Sequence, residues 1–227
     1  QNRSLYLISK RRVEKPALLV YSHIGNRFRF VRKFDLPLDG TPNSVRATPS
    51  AGEIAKEKLK SPKRLTNEVA AVMAQVNREN LYPYISEFSE SLELDSIGFS
   101  TSKGTKMDHV VDIYQISTKT GEILNRVTLT AFFVNAFSFD KTGKRVLVAG
   151  DKLKPWDNRI PDGRLYVYEK DDSGAWHMIY EISLEEIFGR AKFSVAGAKL
   201  VIGMNWLDSQ TFWLTNNAGE SATLNFK

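Results

Sequence analysis

The sequence predicts a mainly β, antiparallel fold. Three observations predict it. From about residue 92 onward, short apolar segments alternate with turns rich in Gly, Asp, Asn and Ser. Residues 27–34 alternate strictly, with Phe28, Phe30, Arg32 and Phe34 on one side and Arg27, Arg29, Val31 and Lys33 on the other. A clear helical apolar period occurs only within residues 65–80.

Taken in order, residues 4–9 read as a strand, ended by the basic run 10–15 and Pro16. Residues 17–22 form a second strand, and a turn at 24–27 leads into the alternating third, where Arg32 marks an edge or an end. Residues 35–64 change character. Pro37, Pro42, Pro49 and Pro62 break regular elements, and Lys56, Lys58, Lys60, Lys63 and Arg64 load the segment with charge. It reads as a long exposed insertion, with room for a short helix around 51–60. In 65–80, Leu65, Val69, Val72 and Val76 make one stripe, and Thr66 or Asn67 is available as a cap. Its valines give it moderate propensity, so packing against a sheet must hold it. The expected organisation is one β-rich domain, 1–227, with a helical, basic insertion at 35–90. Strands follow at 97–100, 109–116, 123–129, 131–139, 145–150, 164–169, 175–182, 191–195, 199–204, 211–215 and 222–226, separated by turns such as 117–122, 140–144, 171–174 and 216–219.

Composition narrows the function classes. The chain has 227 residues, 42% hydrophobic and 26% charged, which suits a folded domain rather than a disordered tail. No apolar run approaches the ~20 residues of a membrane helix. With no Cys, disulfide scaffolds, Cys-ligated zinc, iron–sulfur clusters and thiol catalysis are excluded. The missing Cys and a first residue that is Gln rather than Met favour an exported, periplasmic or extracellular setting over a cytoplasmic one. The net charge of +6 is uneven: residues 1–64 carry 15 Lys and Arg against 5 Asp and Glu, and residues 65–227 carry 17 against 21. Such asymmetry points either to an acidic partner or to a solvated face.

Several segments look alike. Residues 136–150, Ala-Phe-Ser-Phe-Asp-Lys-Thr-Gly-Lys-Arg-Val-Leu-Val-Ala-Gly, resemble the inner hairpin of a blade in WD40-like and TolB-like β-propellers. Phe139 stands where those families usually have Pro, and two extra residues precede Gly143. Residues 112–123 and 164–182 resemble the outer hairpin, and 193–203 a further inner one. Trp156-Asp157 lies in a loop rather than ending a strand, unlike the WD signature. The resemblance spans residues 97–215, about two blades and the start of a third. It implies sheets stacked around an axis, each burying its faces on its neighbours. A two-sheet β-sandwich with similar hairpins is the alternative architecture.

Signatures of chemistry are sparse. His23, His109 and His177 show no metal-ligand spacing. Asp108, His109 and Asp112 form a local cluster, read either as a site or as a turn entering a strand. There is no Gly-x-Ser-x-Gly elbow, Walker A or Gly-x-Gly-x-x-Gly. Asp151, Asp157 and Asp162 bracket a loop, but Lys152, Lys154, Arg159 and Arg164 oppose a cation there. Glu185, Glu186 and Asp208 are acids with no reason in the sequence to pair. Trp156 and Arg159 in the 151–163 loop, and Trp206 and Asp208 after a strand, are candidate partner-binding residues, because Trp and Arg concentrate in interface hot spots. For Trp156 the competing reading is packing over a sheet edge.

The resulting expectation is a non-enzymatic module that binds a protein partner, acidic in character, through Trp156, Arg159, Trp206, Asp208, Lys56, Lys58, Lys60, Lys63 and Arg64. An inhibitor or immunity-type protein fits that description. No cofactor, metal or catalytic residue is expected. The alternatives are a propeller hydrolase or lyase acting on glycans and a polyanion binder. The Arg and Phe faces of 27–34 oppose each other, which counts against nucleic acid.

Overall fold

Strand propensity and turn chemistry place the elements. The computed structural model describes residues 4–9, 16–25, 27–37, 41–47, 83–89, 95–104, 109–152, 163–189, 201–216 and 218–226. In chain order the elements are β1 (Ser4–Ser9), β2 (Ala17–Ile24), β3 (Arg27–Asp35), β4 (Thr41–Ala47), β5 (Pro83–Ser89), β6 (Ser96–Lys103), β7 (Val110–Ser117), β8 (Ile123–Thr130), β9 (Phe132–Phe139), β10 (Arg145–Lys152), β11 (Arg164–Lys170), β12 (Trp176–Ser183), α1 (Leu184–Phe188), β13 (Val201–Trp206), β14 (Thr211–Asn216) and β15 (Ser221–Asn225). The strands form four antiparallel sheets, ordered β3-β2-β1-β5, β4-β6-β7-β8, β9-β10-β11-β12 and β13-β14-β15. The chain is thus mainly β, as expected. The helix seen is α1, capped by the Ser183 side chain accepting the Glu185 N–H at 3.1 Å. The amphipathic helix expected at 65–80 lies outside the described residues, as do Trp156, Arg159, Lys56, Lys58, Lys60, Lys63 and Arg64. Within the expected insertion 35–90, residues 41–47 and 83–89 are strands, pairing with β6 and β1 respectively.

The chain divides into two compact units, residues 1–102 with 113–126, and residues 103–112 with 127–227. In the first, Tyr6, Leu18, Val20 and Phe34 pack with Ile97, Phe99, Tyr114 and Ile116. In the second, Ala136, Leu147, Ala149, Leu165 and Val167 pack with Trp206, Phe212, Leu214 and Phe226. Each unit therefore joins two sheets face to face.

Burial along single strands carries more information than these clusters. In β10, Val146, Leu147, Val148 and Ala149 are consecutive and all buried, so both faces of that strand are covered. The same holds for residues 111–116 of β7 and 17–21 of β2. A two-sheet sandwich leaves one face of each sheet in water and gives alternation instead. At one edge of two of the four-stranded sheets burial falls away: residues 177–179 of β12 are exposed, as are six of the nine β3 residues, including the run 29–31 around Phe30.

Buried polar groups inside these strands find partners across the ladder, as they must. The Gln115 amide accepts from Asn125 at 2.7 Å and donates to Ser96 at 3.0 Å. The Asp112 carboxylate accepts the Thr128 hydroxyl at 2.6 Å, with the Lys103 ammonium 3.9 Å away. Asp112 is therefore engaged within its own sheet, and Asp108 lies outside the described residues.

The third strand departs from the simple alternation. Val20 pairs with Arg32 and Tyr21 with Phe30, so Val31 is an extra, unpaired residue. This bulge reverses the phase of the strand. Arg27, Arg29, Arg32 and Phe34 share the face of Leu18 and Val20. Phe28, Phe30 and Lys33 share the other, where Phe30 meets Tyr21 edge-on at 5.7 Å and Phe28 meets His23 at 5.2 Å. The single apolar side expected for Phe28, Phe30, Arg32 and Phe34 is thereby corrected: one inserted residue splits it between faces.

A second bulge lies between β9 and β10 at Ala149/Gly150. A Cβ on Gly150 would run into the Phe133 carbonyl oxygen, a backbone atom that cannot move aside. Gly150→Ala is expected to destabilise the protein by about 1–3 kcal/mol through overpacking. Denaturant melts read this directly, and an unchanged midpoint would contradict the close approach.

Candidate functional site

The hairpin tips concentrate the polar chemistry of the described residues, and four of them are built around an Asp or Asn side chain. At the β9–β10 turn, the Asp140 carboxylate accepts the Arg145 N–H at 3.0 Å and the Thr142 hydroxyl at 2.6 Å. The Gly143 N–H returns to the Asp140 carbonyl at 3.1 Å, and Gly143 has φ 69°, where a Cβ is costly. At the β11–β12 turn, Asp171 accepts Ala175 N–H at 2.9 Å and Ser173 at 2.6 Å, and contacts His177 Nε2 at 2.6 Å. The Ser173 hydroxyl, then His177 and the Ala175 N–H, hold the Asp171 carboxyl far below its ordinary range. At the β14–β15 turn, the Asn216 side chain accepts the N–H groups of Ala218 and Glu220, both at 3.0 Å. Asx turns of this kind brace a loop from within.

The β13–β14 tip, residues 207–210, holds the two described candidates. Asp208 is fully exposed, and its carboxylate accepts the N–H groups of Gln210 and Thr211, both at 2.7 Å. These bonds, with the Thr211 hydroxyl, lower its pKa from the ordinary 3.8. Arg145 donates to the Ser209 carbonyl from below while pairing with Glu169 at 2.8 Å. Phe226 N–H reaches the Gln210 carbonyl at 3.1 Å. The tip is thus fixed at both ends and presents Leu207, 37% exposed.

Trp206 sits at the root of this tip and is only 4% exposed. Its indole packs edge-on against Phe212 at 5.8 Å and Phe226 at 5.7 Å, and its Nε1–H donates to the Ser138 carbonyl at 2.9 Å. It is a packing residue within its own unit, so the exposed anchor expected at this position is Leu207 instead. Ser138 also donates to Asn205 at 3.1 Å, and Asn135 donates to the Val201 carbonyl at 3.1 Å. The contacts advance together, 135 with 201 and 138 with 205 and 206. Strands β9 and β13 therefore run side by side in the same direction, joined by side chains rather than by a ladder.

Glu185 and Glu186 stand in the first turn of α1, where the helix dipole favours acids. His109 contributes its carbonyl to Ala131 N–H at 2.7 Å. No group of three or more His, Asp and Glu that could hold a metal occurs among the described residues. Among them, too, no helix is long and apolar enough to cross a membrane.

No protein-family model matches the chain, and no curated protein matches it. Among solved structures it is similar to a crystal structure of a protein from Lactobacillus plantarum, at 10% identity and a TM-score of 0.33. The match covers 99% of this chain, which spans 66% of the length of that protein.

Two outcomes follow from the tip. Trp206→Phe is expected to cost about 1–3 kcal/mol, because the buried Ser138 carbonyl loses its donor, and chemical denaturation measures it. For Asp208 the folded-state pKa lies below the unfolded one. Its contribution is complete at neutral pH and is lost as pH falls below about 4. The amide signals of Gln210 and Thr211 should therefore shift on acidification through that range. In Asp208→Ala they should be displaced at neutral pH and show no such step.

Proposed function

We propose that this chain is a non-enzymatic, propeller-type binding module that recognises an acidic protein partner. Two features support the architecture. Central strands are covered on both faces, and the neighbouring edge strands β9 and β13 run parallel without sharing a ladder, as the first strands of successive blades do. With both faces committed to packing, recognition falls to tips, loops and edges. The hairpin carboxylates are occupied in bracing their own turns.

The observation that carries the acidic partner is a pair of exposed arginines. In the second unit Arg145 pairs with Glu169 at 2.8 Å and Arg164 with Glu181 at 2.6 Å. In the first unit Lys33 pairs with Asp35 at 2.9 Å and Lys119 with Asp95 at 2.6 Å, whereas Arg27 and Arg29 are exposed and have no ion pair among the described residues. The sequence places Lys56, Lys58, Lys60, Lys63 and Arg64 between β4 and β5 of that same unit. In this reading those cations, Trp156, Arg159 and Leu207 meet the partner, and Asp208 holds the tip that presents Leu207.

Affinity capture with the intact chain, followed by titration of the captured protein, tests the reading. Binding is expected to weaken about tenfold or more as salt rises tenfold, and to weaken again when Lys56, Lys58, Lys60, Lys63 and Arg64 are all changed to Glu. A complex indifferent to both changes would sink it.

A further inference from the structure

Strand β3 lies at the end of its sheet, with β2 as its ladder neighbour among the described residues. Its side chains are unusually open for an apolar strand: Phe30 is 55% exposed and Val31 44%. Over residues 27–30 the arginines and phenylalanines stand on opposite faces, Arg27 and Arg29 on one and Phe28 and Phe30 on the other; beyond the bulge at Val31, Arg32 and Phe34 join the first face and Lys33 the second. From these placements we infer that the β3 edge takes up an extended segment of a protein partner whose side chains alternate between acidic and apolar. The inference rests on the acidic-partner reading above and gives it a location and a sequence pattern.

An added strand lies in the plane of the sheet, about 4.8 Å from its neighbour, and its side chains point alternately to the two faces. Every second residue therefore meets Arg27 and Arg29, and the residues between meet Phe30. Carboxylates opposite arginines and branched apolar side chains opposite Phe30 are the favourable cross-strand pairs. The bulge ends regular pairing at Val31, so the ladder runs over residues 27–30. Arg32 lies just beyond, on the arginine face.

A nucleic acid strand would have to stack bases on Phe30 and place phosphates on the arginines, yet these lie on opposite faces of one strand. A peptide strand satisfies both together. The arrangement also selects against self-pairing, since a second copy of β3 would bring arginine against arginine. The edge is closed to its own kind and open to an acidic strand.

The test uses the full chain and two fluorescein-labelled eight-residue peptides. One alternates Glu and Val; the other has the same composition with the four Glu grouped. The alternating peptide is expected to bind at least about tenfold more tightly in anisotropy titrations. It should also slow hydrogen exchange at the amides of residues 27–31. The double variant Arg27→Glu/Arg29→Glu should lose that binding with an unchanged melting temperature, since both side chains are exposed. Equal binding of the two peptides, or oligothymidylate binding as tightly as the alternating one, would overturn strand addition while leaving a charge-driven partner standing. Protection appearing elsewhere in the chain but not at 27–31 would overturn the location. A salt-insensitive natural partner, by contrast, would remove the wider reading even if the alternating peptide binds β3.

Discussion

Coverage of both faces of the central strands is the constraint on which the rest depends. Five consecutive buried residues in β10 and six in β7 leave those strands no solvated side. Every side chain there must therefore pack or find a polar partner within the protein. Leu147 and Ala149 meet the neighbouring sheet of their unit, while Val146 and Val148 are equally buried on the opposite face. Gln115, Asp112 and Ser138 stay polar because Asn125, Ser96, Thr128 and Asn205 are placed to satisfy them.

That constraint also disposes of the surface. A chain whose sheets are consumed by packing reverses direction often, and each reversal leaves backbone groups to satisfy. Asp140, Asp171, Asp208 and Asn216 meet that need from within their own turns. Acids that look available for chemistry in the sequence are thereby occupied with local structure. In the first unit, Arg27 and Arg29 on the exposed strand β3 have no ion pair among the described residues.

Much of the stretch from residue 109 to residue 169 was legible from residues alone. The strands at 109–116, 123–129, 145–150 and 164–169 and the Asp-to-Gly turns between them appear close to where pattern places them, because strand period and turn chemistry are local. Other features were not. Pro42 argued for a break, yet residues 41–47 pair with β6, with a register shift between Pro42 and Ser44. The inserted residue Val31 reverses the phase of β3, and nothing in Arg-Phe-Arg-Phe-Val-Arg announces where the ladder slips. Ser183, Glu185 and Glu186 are the retrospective signal for α1, a capping residue followed by acids. Trp206 reads as an anchor only because sequence does not show Phe212 and Phe226 closing around its ring.

The sequence by itself determined that the chain is β-rich, that its turns are braced by Asp, Asn and Gly, that thiol chemistry is excluded, and that positive charge is concentrated before residue 65. These are consequences of composition and of interactions spanning a few residues. Only the tertiary structure decided which faces are covered, where the register slips, that Trp206 is core and which arginines form ion pairs among the described residues. Each of those depends on residues distant in the chain meeting at one place: whether Trp206 is buried is settled by Ser138, and which way Arg32 faces is settled by its pairing with Val20. Contacts of that kind are set by packing, and no local pattern encodes them.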